Sequence, residues 1–135
     1  GRHAVIVGRS NIVGKPMFAL LCQKFEKGNA SVTICHTGTP DITNFTKQAD
    51  IIIAAAGIPH LITGDMISKG VDIIDVGINR VDDDSIKGYH LVGDVQFDSV
   101  AGIANSVTPV PGGVGPMTIT MLLANTIQSA KNSLT

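Results

Sequence analysis

The sequence lacks an excess of charge of either sign, any long hydrophobic run, and most of the usual aromatic complement. Ten Lys and Arg stand against eleven Asp and Glu, for a net charge of −1. That balance supplies no general attraction to nucleic acid or anionic lipid. The longest apolar run, Ile51 to Ile58, is far short of a membrane span. The N-terminal Gly1-Arg2-His3 leads straight into an apolar strand and shows no signal-peptide layout. The two cysteines, Cys22 and Cys35, have no CxxC spacing and read as buried or semi-buried thiols of a reducing, cytoplasmic compartment. His3, His36, His60 and His90 form no HExxH-type spacing, which excludes a metal site of that kind. Tryptophan is absent, and Tyr and Phe together number five.

What is present is glycine, valine and isoleucine. Glycine is 15 of 135 residues, about 11% against an average near 7%. That stock suits an α/β fold with tight backbone loops, and 135 residues make one domain. Short β-rich runs alternate with amphipathic segments. His3–Val7 and Ser31–Cys35 read as strands, with a helix from Met17 between them whose apolar face is Phe18, Leu21, Cys22 and Phe25. Gly28 and Asn29 end that helix. Asp41–Ala49 predicts a short helix or turn. Asp50–Ala56 is the nearly all-apolar type of strand that is buried on both faces of a parallel sheet. Thr63–Ser68 predicts a short helix, Val71–Val76 a fourth strand and Val81–Tyr89 a charged surface loop. Leu91–Val95 and Ser106–Val110 predict two further strands around a weak helix at Phe97–Ile103, and a last helix begins near Pro116. The alternation predicts a Rossmann-like, doubly wound, mostly parallel sheet with helices on both faces.

The first strand runs directly into Gly8-Arg9-Ser10-Asn11-Ile12-Val13-Gly14-Lys15-Pro16. A glycine-rich turn between the first strand and first helix is where such a sheet holds a pyrophosphate. The backbone approaches the phosphates there, and the helix N-terminus carries partial positive charge. The match to GxGxxG is incomplete: Gly8 and Ser10 take the first two positions, but Val13 precedes Gly14. As a P-loop the segment fails, because the glycine spacing is wrong and Pro16 follows Lys15. A plain turn that needs glycines is the competing reading. After the second strand, Cys35-His36-Thr37 brings no carboxylate until Asp41, whereas an NAD site places an acidic residue there for the ribose hydroxyl. Arg9, His36 and Thr37 as donors suit a 2′-phosphate, and hence NADP.

The blocks Gly8-Arg9-Ser10, Val13-Gly14 with Pro16, Val32-Thr33, Cys35-His36, Ala56-Gly57 with Pro59, Asp75-Val76-Gly77-Ile78-Asn79, Gly93-Asp94-Val95 and Thr108 through Thr118 carry a resemblance. In this order they resemble the NAD(P)-binding domain of the bifunctional methylenetetrahydrofolate dehydrogenase/methenyltetrahydrofolate cyclohydrolase family. The run Thr108-Pro109-Val110-Pro111-Gly112-Gly113-Val114-Gly115-Pro116-Met117-Thr118 is the most specific of them. The resemblance implies NADP-dependent oxidation of 5,10-methylenetetrahydrofolate and hydrolysis of the methenyl product to 10-formyltetrahydrofolate, within one-carbon metabolism that feeds purine biosynthesis. It implies cofactor contacts at Gly8, Arg9, Ser10, Thr37 and Ile78, with Gly14 and His36 added from the loop reading. Pro111, Gly112, Gly113, Val114, Gly115, Pro116, Met117 and Thr118 would lie beside the nicotinamide and the folate. A homodimeric parent enzyme is also implied.

The family's catalytic Lys belongs to a Tyr-x-x-x-Lys helix in a separate, upstream folate-binding domain. Here the single tyrosine, Tyr89, is followed four residues on by Gly93. No catalytic residue is therefore expected in this chain, and folate would be bound through the missing domain. Asp75 and Asp94 at strand ends are read as loop anchors or solvent-facing residues in preference to a catalytic pair. The last helix carries two apolar stripes, Ile119, Leu122, Leu123, Ile127 and Ala130 beside Met117, Met121 and Ala124. One stripe suffices to cover a sheet, so the second is either a broad core face or a docking surface for the missing domain. Two other readings of the chain are a non-catalytic dinucleotide-sensing module and a methyltransferase. The absent acidic residue after the second strand argues against the latter.

Overall fold

The computed structural model describes residues 1–26 and 28–134. Five parallel strands form one sheet in the order β2-β1-β3-β4-β7: β1 (His3–Val7), β2 (Ser31–Cys35), β3 (Ile51–Ala54), β4 (Asp72–Asp75) and β7 (Ser106–Val107). The register runs Ala4 beside Val32 and Ile51, Ile51 beside Asp72, and Asp72 beside Ser106. This is the α/β, Rossmann-like architecture predicted, with the chain reversing direction across the sheet between β1 and β3. Alternation within each strand divides the apolar residues between two faces. Val5, Val7, Cys35, Ile52, Ala54 and Ile73 join one core with Ile62, Ile67, Val95 and Val100. That core is closed by α2 (Thr43–Thr46), a 3-10 turn at Gly64–Met66, and α3 (Phe97–Val100). Ala4, Ile6 and Ile53 are buried facing the other way, where α1 (Gly14–Leu21) lies against β1 and β2.

Several elements differ from the sequence reading. Helix α1 starts three residues earlier than Met17 and ends at Leu21, leaving Phe25 outside it. Its end is set by the Ala30 amide, which donates to the Leu21 carbonyl that a further helical turn would need. Cys22 at that end is exposed, not semi-buried; Cys35 is buried, and burial pushes its thiol pKa up. The segment Val81–Tyr89 is not simply a loop. Strands β5 (Asn79–Asp82) and β6 (Tyr89–Val92) form an antiparallel hairpin apart from the main sheet. The Arg80 guanidinium lies 4.2 Å from the centre of the Tyr89 ring, a cation–π contact that pins the two strands. The strand expected at Leu91–Val95 thus belongs to the hairpin, and Val95 makes only an isolated bridge to Ile62. Strand β7 stops after Val107, since Pro109 and Pro111 have no N–H for a ladder.

The last helix, α4 (Val114–Ser133), begins just before Pro116, which falls in its first turn. Every described residue from Pro116 onward is exposed, including Met117, Ile119, Met121, Leu122, Leu123 and Ile127. On the sheet itself Ile74 is also exposed. Neither apolar stripe of α4 covers a core face within this chain. Among the described residues, no helix is long and apolar enough to cross a membrane.

At the amino edge of the sheet, Asp72 gathers three donors. Asn105 Nδ2 and the Ser106 hydroxyl donate to one oxygen, each at 2.8 Å, and Arg2 donates to the other at 2.7 Å. These bonds pull the Asp72 carboxyl down to about 2 from the ordinary 3.8. A lowered carboxylate pKa stabilises the fold above the unfolded value and ceases to do so as pH falls through the folded one. Asp72→Asn should therefore lower stability at pH 7 by roughly 1 kcal/mol, solvent screening the exposed Arg2 side. The gap to the wild type should close as pH falls from about 3.8 to about 2. Urea midpoints against pH measure this; a gap that does not vary with pH would contradict it.

Candidate functional site

The carboxyl edge of the sheet is where ligands sit in open α/β folds, at the point where strand order reverses. Between the ends of β1 and β3 lies a cavity of about 350 Å³. Gly8, Arg9 and Ser10 line it from the first loop, His36, Thr37 and Thr39 from the second, and Ile42, Ala56, Ile58 and Leu61 complete an apolar wall. Five of the predicted cofactor residues are thus brought together at one cavity from two separate loops. No carboxylate lines this cavity among the described residues.

Gly8 is required at its position for two reasons. Its φ is +129°, and a Cβ there would collide with the Ala55 carbonyl where β1 and β3 converge. Gly14 is equally tight against the Gly8 carbonyl but is buried and does not line the cavity. Its place is the packing of α1 onto the first turn. The Ser10 hydroxyl oxygen accepts from the Val13 and Gly14 amides, at 3.0 and 3.4 Å. It satisfies two amides at the start of α1 from inside the loop, and its own proton is not used in either bond. Lys15 turns back to donate to Asn11 at 2.8 Å. Arg9 is exposed and makes no ion pair among the described residues.

On the second loop the Gly38 amide donates to His36 Nδ1 at 3.0 Å. That bond makes Nδ1 the acceptor and leaves the proton of a neutral ring on Nε2, a donor. Thr39 closes the turn by accepting from the His36 amide at 3.0 Å. Hydroxyl and imidazole groups and the Arg9 guanidinium therefore line the cavity among the described residues.

A second cavity, of about 340 Å³, lies beyond β4. Ile78 lines it, as do Pro111, Gly112, Gly113, Val114, Gly115, Pro116 and Thr118. Met117 does not; it is exposed on α4. Gly113 is pressed against the Pro109 carbonyl, but Gly115 faces open space, so this chain's own packing does not demand its missing side chain.

Asp75 and Asp94 are both buried at this edge. Asp75 accepts from the amides of Gly77, Asp94 and Val95 at 2.9–3.0 Å, and burial nevertheless holds its carboxyl above the ordinary carboxylate range. Asp94 accepts from the amides of Ala56, Gly57 and Ile58 and from Asn79 Nδ2. Both anchor loops, one of the two roles read from the sequence; their burial rules out the other, a solvent-facing role. Which groups Asp94 holds had no signal there, because its partners lie 15 to 38 residues away. The apolar wall of Ile42, Ile58 and Leu61 was likewise missed: such residues read as ordinary core.

Gly8→Ala should destabilise the chain by about 3 kcal/mol, combining a left-handed φ with an overpacked contact. Urea denaturation measures it, and an unchanged midpoint would show that β1 and β3 are not held this close.

Comparison with known proteins follows the same outline. The family described as tetrahydrofolate dehydrogenase/cyclohydrolase, NAD(P)-binding domain, matches residues 1–134. The bifunctional protein FolD of Chlorobium chlorochromatii is 64% identical over 130 residues, covering 96% of this chain and 44% of that protein. FolD of Chloroherpeton thalassium is 60% identical over 135 residues, covering 99% of this chain and 46% of its own. Among solved structures, the FolD methylenetetrahydrofolate dehydrogenase/cyclohydrolase of Campylobacter jejuni superposes with a TM-score of 0.87 at 51% identity, covering 98% of this chain and 44% of that one. The Trypanosoma brucei enzyme, solved with NADP cofactor and an inhibitor, gives 0.89 at 44% identity, covering 99% and 45%. The chain spans less than half the length of these relatives.

Proposed function

The chain belongs to the tetrahydrofolate dehydrogenase/cyclohydrolase family as its NAD(P)-binding domain, and we propose that it holds NADP for an enzyme of one-carbon metabolism. That enzyme would oxidise 5,10-methylenetetrahydrofolate to the methenyl form and hydrolyse this to 10-formyltetrahydrofolate. The observation that carries the reading is the cavity at the β1/β3 switch point, with Gly8, Arg9, Ser10, His36 and Thr37 around it. Its volume lies in the range of small-molecule sites. Its donors suit phosphate, and its apolar wall suits a planar base. A homodimeric, cytoplasmic parent enzyme serving purine biosynthesis goes with this reading.

On this reading Arg9, Ser10 and Thr37 hold the 2′-phosphate, with the His36 Nε2 proton beside them. The backbone of the Gly8 loop approaches the pyrophosphate. Ile78 and the Pro111–Thr118 loop shape the second cavity for the nicotinamide and the folate, where the bare Gly115 leaves a flat wall. The bound dinucleotide supplies the hydride acceptor. This chain binds and orients; the lysine that manages the proton belongs to a folate-binding domain elsewhere in the parent protein. Arg9→Ala should weaken NADP binding by about tenfold or more, the loss of a charge-assisted phosphate contact, and NAD binding far less. Calorimetric titration of both dinucleotides tests it. Equal losses would sink the 2′-phosphate assignment.

The exposed α4 supports the two-domain reading. Its Met117, Ile119, Met121, Leu122, Leu123 and Ile127 make an apolar surface that single-domain proteins rarely leave open. We assign it to the folate-binding domain, since relatives are more than twice this length. The isolated chain should self-associate in light scattering and bind a hydrophobic dye. A clean monomer without dye binding would count against the docking role.

A further inference from the structure

Asp94 is fully buried, and its two oxygens receive four donors. The amides of Ala56 and Gly57 donate to Oδ2 at 2.6 and 2.8 Å. The Ile58 amide and Asn79 Nδ2 donate to Oδ1 at 3.1 and 2.8 Å. Three successive amides converging on one carboxylate form a backbone nest, the kind of concavity that elsewhere binds phosphate. Here the chain fills it with its own carboxylate. The loop so held walls the dinucleotide cavity with Ala56 and Ile58. Asn79 adjoins Ile78, which lines the second cavity.

The placement of Asp94 is itself fixed. Asp75 accepts from the Asp94 and Val95 amides at 3.0 and 2.9 Å, and the Asp75 amide donates to Thr108 Oγ1 at 2.8 Å. Thr108 opens the proline- and glycine-rich loop. A Cβ on Gly77 would strike the Asp94 carboxylate, and one on Gly93 would strike that of Asp75. One buried run of bonds thus ties the wall of the first cavity to both sides of the second.

We propose that Asp94 is a positioning residue for the dinucleotide: its carboxylate holds the Ala56–Ile58 loop in the shape the adenosine half requires, without touching the ligand. The inference rests on the dinucleotide reading above. An ionised carboxylate is needed because only it accepts at both oxygens. An asparagine presents one oxygen and one NH₂ in either orientation, so two of the four donors always face another donor.

The test compares wild type, Asp94→Asn and the double variant Asp94→Asn with Asn79→Asp. Binding of NADP and of 2′,5′-ADP, the adenosine fragment, is measured well below each melting midpoint, where a merely stabilising role leaves affinity untouched. Asp94→Asn should weaken both ligands about tenfold. The Ala56, Gly57 and Ile58 amides should exchange faster while those of Ala4–Val7 stay protected. In the double variant, the side-chain amide at position 94 can accept from Ala56 and Gly57 through its oxygen. Its NH₂ group can then donate to the carboxylate introduced at position 79, which should recover part of the affinity. A folded Asp94→Asn chain with wild-type affinity overturns the inference alone, even if it melts lower. A wild-type chain that binds neither ligand overturns the dinucleotide reading and this inference with it. Should Asp94→Asn not fold, Asn79→Ala removes one donor and should cost about threefold in affinity; unchanged affinity there overturns the proposal equally.

Discussion

A parallel sheet brings all its strand ends to one edge, and the loops that leave it there carry amides that no ladder can pair. In this chain two buried carboxylates accept from them. Asp75 and Asp94 between them accept from six backbone amides and one side-chain amide, and so fix the exits of β3, β4 and the hairpin relative to one another. Burying ionised groups is costly, and the raised Asp75 carboxyl shows that amide donors only partly offset desolvation. The arrangement survives because every bond is met: among the described residues no buried side-chain polar atom lacks a partner. Loops that would otherwise be the softest part of the fold are thereby made definite in shape.

The two faces of the sheet are finished to different degrees. One is closed by α2, the 3-10 turn and α3 over a continuous core. The other is covered by α1 near β1 and β2, while Ile74 on β4 stays exposed and α4 buries none of its residues. A helix of 20 residues with no core of its own adds little stability to the chain that carries it. On the docking reading proposed above, its apolar side chains would find that cover against another domain of the parent protein.

Legibility in the sequence followed the locality of the cause. Strands β1 to β4 announced themselves through short apolar runs, and the Gly8 turn through its glycines, because both depend on residues next to one another. The hairpin did not: β5 carries Arg80 and Asp82 among its four residues, and what joins it to β6, the Arg80–Tyr89 contact and the ladder, acts between residues several positions apart. The end of α1 was misread because the Phe25 periodicity was real, yet the Ala30 amide captured the carbonyl that would have continued the helix. The exposure of α4 had no local signature, since an apolar stripe reads the same whether or not anything covers it. At the site, the polar residues facing the cavity were legible by type. Their apolar wall and the amides beneath it were not.

The nest at Ala56–Ile58 also bears on where a phosphate can bind. Three convergent amides at the end of β3 would otherwise lie beneath the cavity wall without an acceptor. With Asp94 seated in them those amides are already engaged. The carboxylate's charge is met by four hydrogen bonds, and Asp94 itself does not line the cavity. Among the described residues lining the cavity, Arg9 supplies the cation, with Ser10 and His36 beside it. On the dinucleotide reading proposed above, an anionic group would meet that end of the cavity, and the apolar part would be left to Ile42, Ile58 and Leu61. By giving those amides an internal acceptor, the fold leaves the Gly8 loop and Arg9 as the polar end of the cavity.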